Sequence, residues 1–251
     1  MHMIRMGLRR VSLLFLVLLA GPVTAAVAGL AKLDSDWRTA SRQSAGIAPD
    51  PATTFEPIVQ VYGARAFGWR GAFAVHTWIA IKRQDAPAYT TYEVTGWRAW
   101  HGHSALGQHV GAPDRYWFGA KPKLYVDLRG AEAEALIDKV EAAIAAYPFK
   151  DSYVTWPGPN SNTFTASVGR AVPELRLDLP PTAIGKDYLG TNRFVARSPS
   201  GTGFQVSLFG ALGLLVGIEE GFEVNLLGLS IGIDPLDLAL RLPGIGRIGV
   251  K

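Results

Sequence analysis

The chain has 251 residues with 48% hydrophobic and 18% charged residues, 28 Gly and no Cys, which excludes a disordered or collagen-like chain. The lack of Cys also excludes disulfides, Cys-based zinc sites and a cysteine nucleophile. The formal charge is +4, but the first 28 residues hold three Arg and no acid, so the remainder has 22 basic and 21 acidic residues. A nucleic-acid-binding face is therefore not expected.

The N-terminal segment has the layout of an export signal. Arg5, Arg9 and Arg10 precede an apolar run at 11–20, and small residues at 24–28 follow Gly21 and Pro22. Residues 26–28 offer an A-x-A cleavage site, but the uncharged stretch continues to residue 31 and is long enough to span a bilayer core of about 30 Å. A cleaved signal peptide and a retained inner-membrane anchor both stay open, and a buried helix of a cytoplasmic protein is less favoured. Export places the remainder in the cell envelope, periplasmic or anchored.

Residues 32–54 show no sustained hydrophobic periodicity, which predicts a linker to a core domain at 55–190. Stretches rich in β-branched and aromatic residues predict strands at 58–62, 74–82, 89–97 and 124–128. A loop rich in Gly and His separates the last two strands. Apolar positions spaced by four predict an amphipathic helix at 131–146. These elements indicate an α+β fold.

Another helix is expected to begin at Ser161. Pro and Gly fix a turn at 156–159, and Asn160 is a typical N-cap residue. A helix N-terminus presents free N–H groups and the positive end of the helix dipole, which stabilise developing negative charge. Backbone N–H groups near Asn160 and Asn162 are therefore the candidate oxyanion site.

A serine hydroxyl needs a base within hydrogen-bond reach to act as a nucleophile. His76, in the second predicted strand, is the candidate base, and Glu93 or Tyr92 on the next strand is placed to orient it. We take Ser161, His76 and Glu93 as the candidate catalytic set of a hydrolase or acyltransferase that acts on amide or ester bonds. An inactive site that only binds, or a purely structural helix cap, remains an alternative.

Aromatic residues near this set are candidates for lining a cleft for acyl chains, sugars or peptides: Tyr92, Trp78, Trp97 and Trp156. The Gly-rich loop contains residue types that ligate zinc, namely His101, His103, His109 and Asp114. A polar loop explains these residues without ligand geometry. No metal and no cofactor is therefore assigned.

Residues 191–251 form a C-terminal extension that is rich in Gly. The segment at 203–208 recurs at 221–226, and the acidic pair Glu219 and Glu220 with Gly221 suggests a turn. This pattern predicts a β-hairpin or small meander. Packing of the extension onto the core and an interfacial or oligomerising role are both open.

Four segments resemble the bacterial domain-of-unknown-function family 3750: F-A-V-H-T-W-I-A-I-K at 73–82, Y-E-V-T-G-W at 92–97, W-P-G-P-N-S-N-T-F at 156–164 and L-P-P-T-A-I-G-K-D-Y-L at 179–189. That family implies no activity. The chain also resembles circularly permuted papain-like hydrolases, which include lecithin retinol acyltransferase-like proteins. The resemblance lies in the order of elements: a strand with His, a strand with a polar partner, a helix, and then N-S-N-T-F at the start of another helix. Those hydrolases carry an N-C-x-x-F motif at the last position.

The second resemblance implies a permuted papain-like core, made of an antiparallel sheet with packed helices, before the β extension. His76 matches the base of those hydrolases, and Ser161 stands in place of their Cys nucleophile. A thiol beside an imidazole ionises readily, whereas a hydroxyl must lose its proton to the base during attack. The envelope location suggests cell-wall peptide or lipid as the substrate, with the membrane as a further partner if the N-terminal segment is uncleaved. The sequence does not determine the oligomeric state.

Overall fold

A computed structural model describes residues 2–249, so Met1 of the N-terminal segment and the last two residues of the extension lie outside the described part. Within it the chain forms two antiparallel sheets and four α-helices. The helices are α1 (His2–Val27), α2 (Gly96–Trp100), α3 (Gly130–Ala145) and α4 (Ser161–Ala171). Two short 3-10 helices lie at Gly68–Ala72 and Pro173–Leu175. The α+β class expected from the sequence is confirmed.

The first sheet has five strands in the order β4-β3-β2-β1-β5. The strands predicted from the sequence are found, with shifted ends, and the Gly- and His-rich loop contributes the additional edge strand β4. Residues 95–97 leave the sheet instead of extending β3, and α2 begins at Gly96. The bounds are β1 (Ile58–Arg65), β2 (Val75–Lys82), β3 (Tyr89–Val94), β4 (Leu106–Gly111) and β5 (Lys123–Arg129).

Successive side chains of β2 point to opposite faces of this sheet. Helices α3 and α4 cover one face, where Ile79 and Phe164 lie in the larger hydrophobic core. Irregular segments cover the other face, where Trp78 and Tyr62 stack at 5.8 Å. One of these segments belongs to residues 32–54: Asp114 accepts hydrogen bonds from Ser44 and from two backbone N–H groups after it.

The start of α4 is fixed by the predicted cap. The Asn160 side chain accepts hydrogen bonds from the N–H groups of Asn162 and Thr163, and Thr163 Oγ1 accepts one from the Asn160 N–H. Asn160 Nδ2 also donates to Ile184 O at 3.1 Å. Gly185 has a φ of +100°, and a Cβ there would lie 2.3 Å from Asn160 Nδ2. Only glycine therefore allows the loop at 184–185 to close against the cap.

The second sheet is a seven-stranded meander in which every strand pairs with its neighbour along the chain. The repeated segments become β7 and β9, separated by β8, so the predicted meander is confirmed and is larger than expected. The bounds are β6 (Val195–Arg197), β7 (Gly203–Leu208), β8 (Leu212–Gly217), β9 (Gly221–Leu226), β10 (Leu229–Asp234), β11 (Ala239–Leu242) and β12 (Gly246–Ile248).

The N-terminal segment is helical as α1 and touches the second sheet near its end. A Cβ on Gly21 would lie 1.9 Å from Pro243 O, which shows how closely the helix meets the turn after β11. Among the described residues, no helix is both long enough and apolar enough to cross a membrane. Signal peptide or retained anchor stays a prediction.

Polar side chains, rather than a hydrophobic core, join the second sheet to the first domain. Buried Arg241 donates to both oxygens of Asp178, at 2.8 and 2.6 Å, and to Glu223. Buried Lys186 donates to the other oxygen of Glu223. Asp187 accepts from side chains of β7 and β9. We call these five charged residues the inter-sheet network.

Lys186 and Glu223 stabilise each other's charge, whereas for Asp178 and Asp187 burial outweighs the cations and raises the pKa. Burial alone would lower the pKa of Lys186, but the carboxylates of Asp187 and Glu223 raise it. Burial alone would raise the pKa of Glu223, but Lys186 and Arg241 lower it. Both groups therefore stay ionised, and removal of one partner leaves an uncompensated buried charge.

Arg241→Met should lower the free energy of unfolding by about 3–5 kcal/mol, because Glu223 and Asp178 lose their shared buried cation. Urea unfolding followed by circular dichroism measures this change. The control is Lys139→Met, which breaks the exposed pair with Glu174 and should cost at most about 1 kcal/mol. Equal losses in the two variants would contradict the role of the network.

Candidate functional site

His76 and Glu93 lie on the same face of the first sheet and are hydrogen bonded. The distance from His76 Nε2 to Glu93 Oε2 is 2.9 Å, and both side chains are largely buried. The ring of Trp117 stacks on the imidazole with 3.7 Å between ring centroids and 10° between planes. The structure thus brings the candidate base and its candidate orienting residue together, and it adds an aromatic ring that holds the imidazole in place.

Two further residues complete this cluster. Arg115 donates to Glu93 Oε1 at 2.6 Å and to His109 Nε2 at 2.6 Å. Since His109 Nε2 accepts, the proton of its neutral ring is on Nδ1, which lies 3.8 Å from Glu93 Oε1. Strand β4 places His109 opposite Thr91. The sequence marked His109 as a residue of zinc-ligating type in a polar loop and not as part of this cluster, since β4 was not predicted.

The surroundings set the charge of each group in the cluster. Burial lowers the pKa of His76 even though the bond to Glu93 acts in the other direction. Burial alone would raise the pKa of Glu93, but His76 and Arg115 lower it. Burial and Arg115 together lower the pKa of His109. A neutral His76 therefore donates to an ionised Glu93, whose charge is balanced by Arg115.

Ser161 lies on the other side of the sheet. Thr77, the neighbour of His76 in β2, donates to Ser161 O at 3.2 Å and to Asn162 Oδ1 at 3.0 Å. Because Thr77 faces α4, His76 faces away from it. Of the interactions between described residues, none joins Ser161 to His76. The expected transfer of a proton from Ser161 to His76 therefore does not fit this geometry.

The two candidate oxyanion residues are occupied by structural bonds. The N–H of Asn162 donates to Asn160 Oδ1 at 2.9 Å. The side chain of Asn162 donates to Val75 O at 3.0 Å and to Ile184 O at 2.8 Å. Both side chains are buried together with Ser161. In this structure they tie the start of α4 to β2 and to the loop at 184–185.

The four candidate cleft residues are dispersed. Trp78 is buried and donates to Pro113 O at 2.7 Å, while Trp97 is exposed beside His101. Trp156 lies against the second sheet, where its Nε1 donates to Leu227 O at 3.0 Å. Tyr92 is partly buried on the α3 face. None of the four lines either of the two cavities described below.

Three of the four residues noted for zinc binding have other partners. His101 Nδ1 lies 2.6 Å from Trp97 O, His109 bonds to Arg115, and Asp114 holds the segment that contains Ser44. Within residues 2–249, no group of three or more His, Asp or Glu side chains is arranged to hold a metal ion.

A cleft of about 360 Å³ lies between α4, the segment after α3 and the approach to β6. Its lining combines three basic side chains, two hydroxyls and two aromatic rings with no acidic side chain: Arg170, Arg193, Arg197, Thr163, Ser167, Phe149 and Tyr188. We call it the arginine cleft. Burial lowers the pKa of Arg170 to about 10. This site is not predictable from the sequence, because its arginines come from separate segments without a motif.

A second cavity of about 400 Å³ lies between β5, the loop at 176–182 and β12. Lys121 and Lys123 line it with Arg247, and Asp178 of the inter-sheet network forms part of its wall. Arg65 closes one side by donating to Ile245 O at 3.1 Å. This cavity lies where the two sheets meet.

Comparison with known proteins places the chain in a family. The model of the family described as Protein of unknown function (DUF3750) matches residues 56–188, more than half of the chain, and the chain therefore belongs to that family. The match spans the five-stranded sheet with α2, α3 and α4, and it ends before the second sheet. No curated protein and no solved structure matches the chain.

Acidification should destabilise the His76 cluster. The pKa of His76 is lower in the folded chain than its ordinary 6.5, so the unfolded chain binds the proton more readily and stability falls as the pH drops through about 6.5. Urea unfolding between about pH 7.5 and about pH 5, above the ordinary Glu range, measures the slope. The slope of the unfolding free energy against pH should be shallower in His76→Gln.

The matched control for this experiment is His103→Gln, which removes an exposed imidazole from the loop after α2. A parent protein and a His76→Gln variant with the same pH dependence would contradict the assignment of a neutral, buried His76.

Proposed function

We propose that this member of the family is an exported cell-envelope protein whose core binds an anionic ligand and does not hydrolyse it. One observation carries the proposal: the side chains of Arg170, Arg193 and Arg197 line one cleft, and no carboxylate of the described residues lies within salt-bridge distance of them. Arg170 is hydrogen bonded to Gln205 and to two backbone carbonyls and interacts electrostatically with Asp187 and Glu220. Arg193 and Arg197 form no ion pair with a described carboxylate, and a bound anion would offset the repulsion between these cations.

The chemistry of the arginine cleft defines the ligand class. Guanidinium groups bind carboxylates and phosphates through paired hydrogen bonds, and the hydroxyls of Thr163 and Ser167 add further polar contacts. The rings of Phe149 and Tyr188 meet edge to face at 5.7 Å and offer an apolar wall. The cleft therefore suits a carboxylate or phosphate on a partly apolar molecule, as in cell-wall peptides and lipid headgroups.

The position of Ser161 supports binding over catalysis. A serine nucleophile requires a base within hydrogen-bond reach, and His76 points to the opposite sheet face. The order of β2, β3, α3 and α4, with α4 starting at Asn160 over β2, supports a permuted papain-like core. On this proposal the core keeps the helix cap and has lost the nucleophile–base pair.

The export part of the proposal is supported by the N-terminal sequence. Arg5, Arg9 and Arg10 come before an uncharged stretch that runs to residue 31, and basic flanks of this kind remain on the cytoplasmic side. The domain that carries the arginine cleft follows this stretch and would lie on the other side of the membrane.

Binding of a small anion tests the site. We expect calorimetric titration with inorganic phosphate and with an N-acetyl dipeptide to show binding, and the dipeptide amide to bind at least about tenfold more weakly than the free acid. Arg193→Gln combined with Arg197→Gln should weaken binding by a similar factor. Arg176→Gln, an exposed arginine outside the cleft, is the matched control. If phosphate binds more tightly than the dipeptide, the ligand is a lipid headgroup. If the dipeptide binds more tightly, the ligand is a peptide.

The non-catalytic assignment has its own test. A fluorophosphonate probe should label the parent protein no more than it labels Ser161→Ala, because no base activates the hydroxyl. Labelling that disappears in Ser161→Ala would overturn this assignment and favour the hydrolase, whatever the result of the anion titration.

A further inference from the structure

The second sheet has its polar face inside and its apolar face outside. Along β9 the buried side chains include Glu223 and Asn225, while Phe222 is exposed. An antiparallel sheet with one face in water normally shows the opposite arrangement, with apolar residues toward the core. The reversal follows from the inter-sheet network, which takes the polar residues of the sheet into contact with the core domain.

The apolar residues of the outer face form continuous rows across the strands. In one row each residue is paired with the next by the strand register, and all six are 42–68% exposed: Phe204, Val216, Phe222, Ile233, Leu240 and Ile248. Six strands spaced by about 4.8 Å make a face about 24 Å wide. Two further rows of apolar side chains run alongside this one and include Val206 and Leu208. Contiguous apolar surfaces of this kind mark interaction sites.

The composition of this face favours lipid as its cover. Within the seven strands, all of which are described, the one charged side chain on the outer face is Arg197, in edge strand β6. Protein interfaces need about one hydrogen bond per 100–200 Å², and this face offers no side chain to make them away from that edge. Its backbone groups are paired between strands. Hydrocarbon requires no polar partner.

Two neighbouring features also favour lipid as the partner of this face. Helix α1 meets the sheet where Gly21 abuts Pro243, and its large apolar side chains, such as Leu13 and Leu16, are also exposed. Arg197, whose side chain is exposed at the edge of this face, is paired with Phe204 by the strand register. Basic side chains next to an apolar surface attract anionic headgroups.

We propose that the outer face of the second sheet rests on an anionic lipid bilayer, with its apolar rows in the acyl region and Arg197 of the edge strand at the headgroups. This face shares Arg197 of edge strand β6 with the arginine cleft, but the proposal rests on the apolar rows and does not require anion binding in the cleft. It assigns a membrane contact to the C-terminal extension, in addition to the one expected of the N-terminal segment.

The lack of Cys allows a position-specific test on the full chain. Ile233→Cys, labelled with an environment-sensitive NBD fluorophore, reports on the outer face, and Lys139→Cys reports on exposed α3 as the control. With vesicles of phosphatidylcholine and phosphatidylglycerol, the Ile233 label should shift to the blue, brighten several-fold and be quenched by nitroxide lipids. The Lys139 label should not change. Urea unfolding verifies that each variant is folded.

A second pair of variants separates the sheet from α1. Val216→Asp with Ile233→Asp should weaken vesicle partitioning at least about tenfold, since two carboxylates replace apolar contacts in the middle of the face. If labelled protein sediments with vesicles while the Ile233 label does not respond, the helix alone binds and the proposal fails. If the Ile233 label shifts with rising protein concentration in the absence of lipid, a second copy covers the face and the proposal also fails.

Discussion

The architecture depends on Glu223 and the two cations that share it. One carboxylate oxygen accepts from Lys186, which lies in the core domain, and the other accepts from Arg241 of β11, across the intervening strand β10. Arg241 in turn binds Asp178 of the core domain. The contact therefore resembles a polar interface rather than a shared hydrophobic core. It also determines orientation, because a sheet whose charged face turns inward must turn its apolar face outward.

The same alternation of side chains decides the candidate site. In β2, Thr77 faces α4 and His76 faces Trp117, so two adjacent residues belong to different surroundings. The His76 side has an ordered cluster with a neutral imidazole and an ionised carboxylate. The Ser161 side has a capped helix whose polar groups are used for packing. The chemistry that the residue types suggest is thus divided between two faces.

Much of the fold was predictable, because it rests on local patterns. Leu136, Val140 and Ile144 marked α3, Asn160 marked the start of α4, and the repeated segments marked two strands of the meander. The pairing of His76 with Glu93 was also predicted from neighbouring strands. The side to which His76 points was not, since strand register and the face covered by α4 depend on contacts distant in sequence. Strand β4 was missed because its two Gly weaken the strand signal, and the arginine cleft because no motif connects its members.

The meander topology also has a consequence for the order of assembly. Each strand from β7 to β12 pairs with the strand just before it in the chain, so the loops that must close are short and the entropy lost on closing them is small. The ion pairs that fasten the sheet to the core join residues far apart, such as Lys186 and Glu223. The sheet can therefore form strand by strand in chain order, while its attachment requires that the core domain has already folded. Assembly in this order would leave the charged face in water until docking, as the last long-range event of folding.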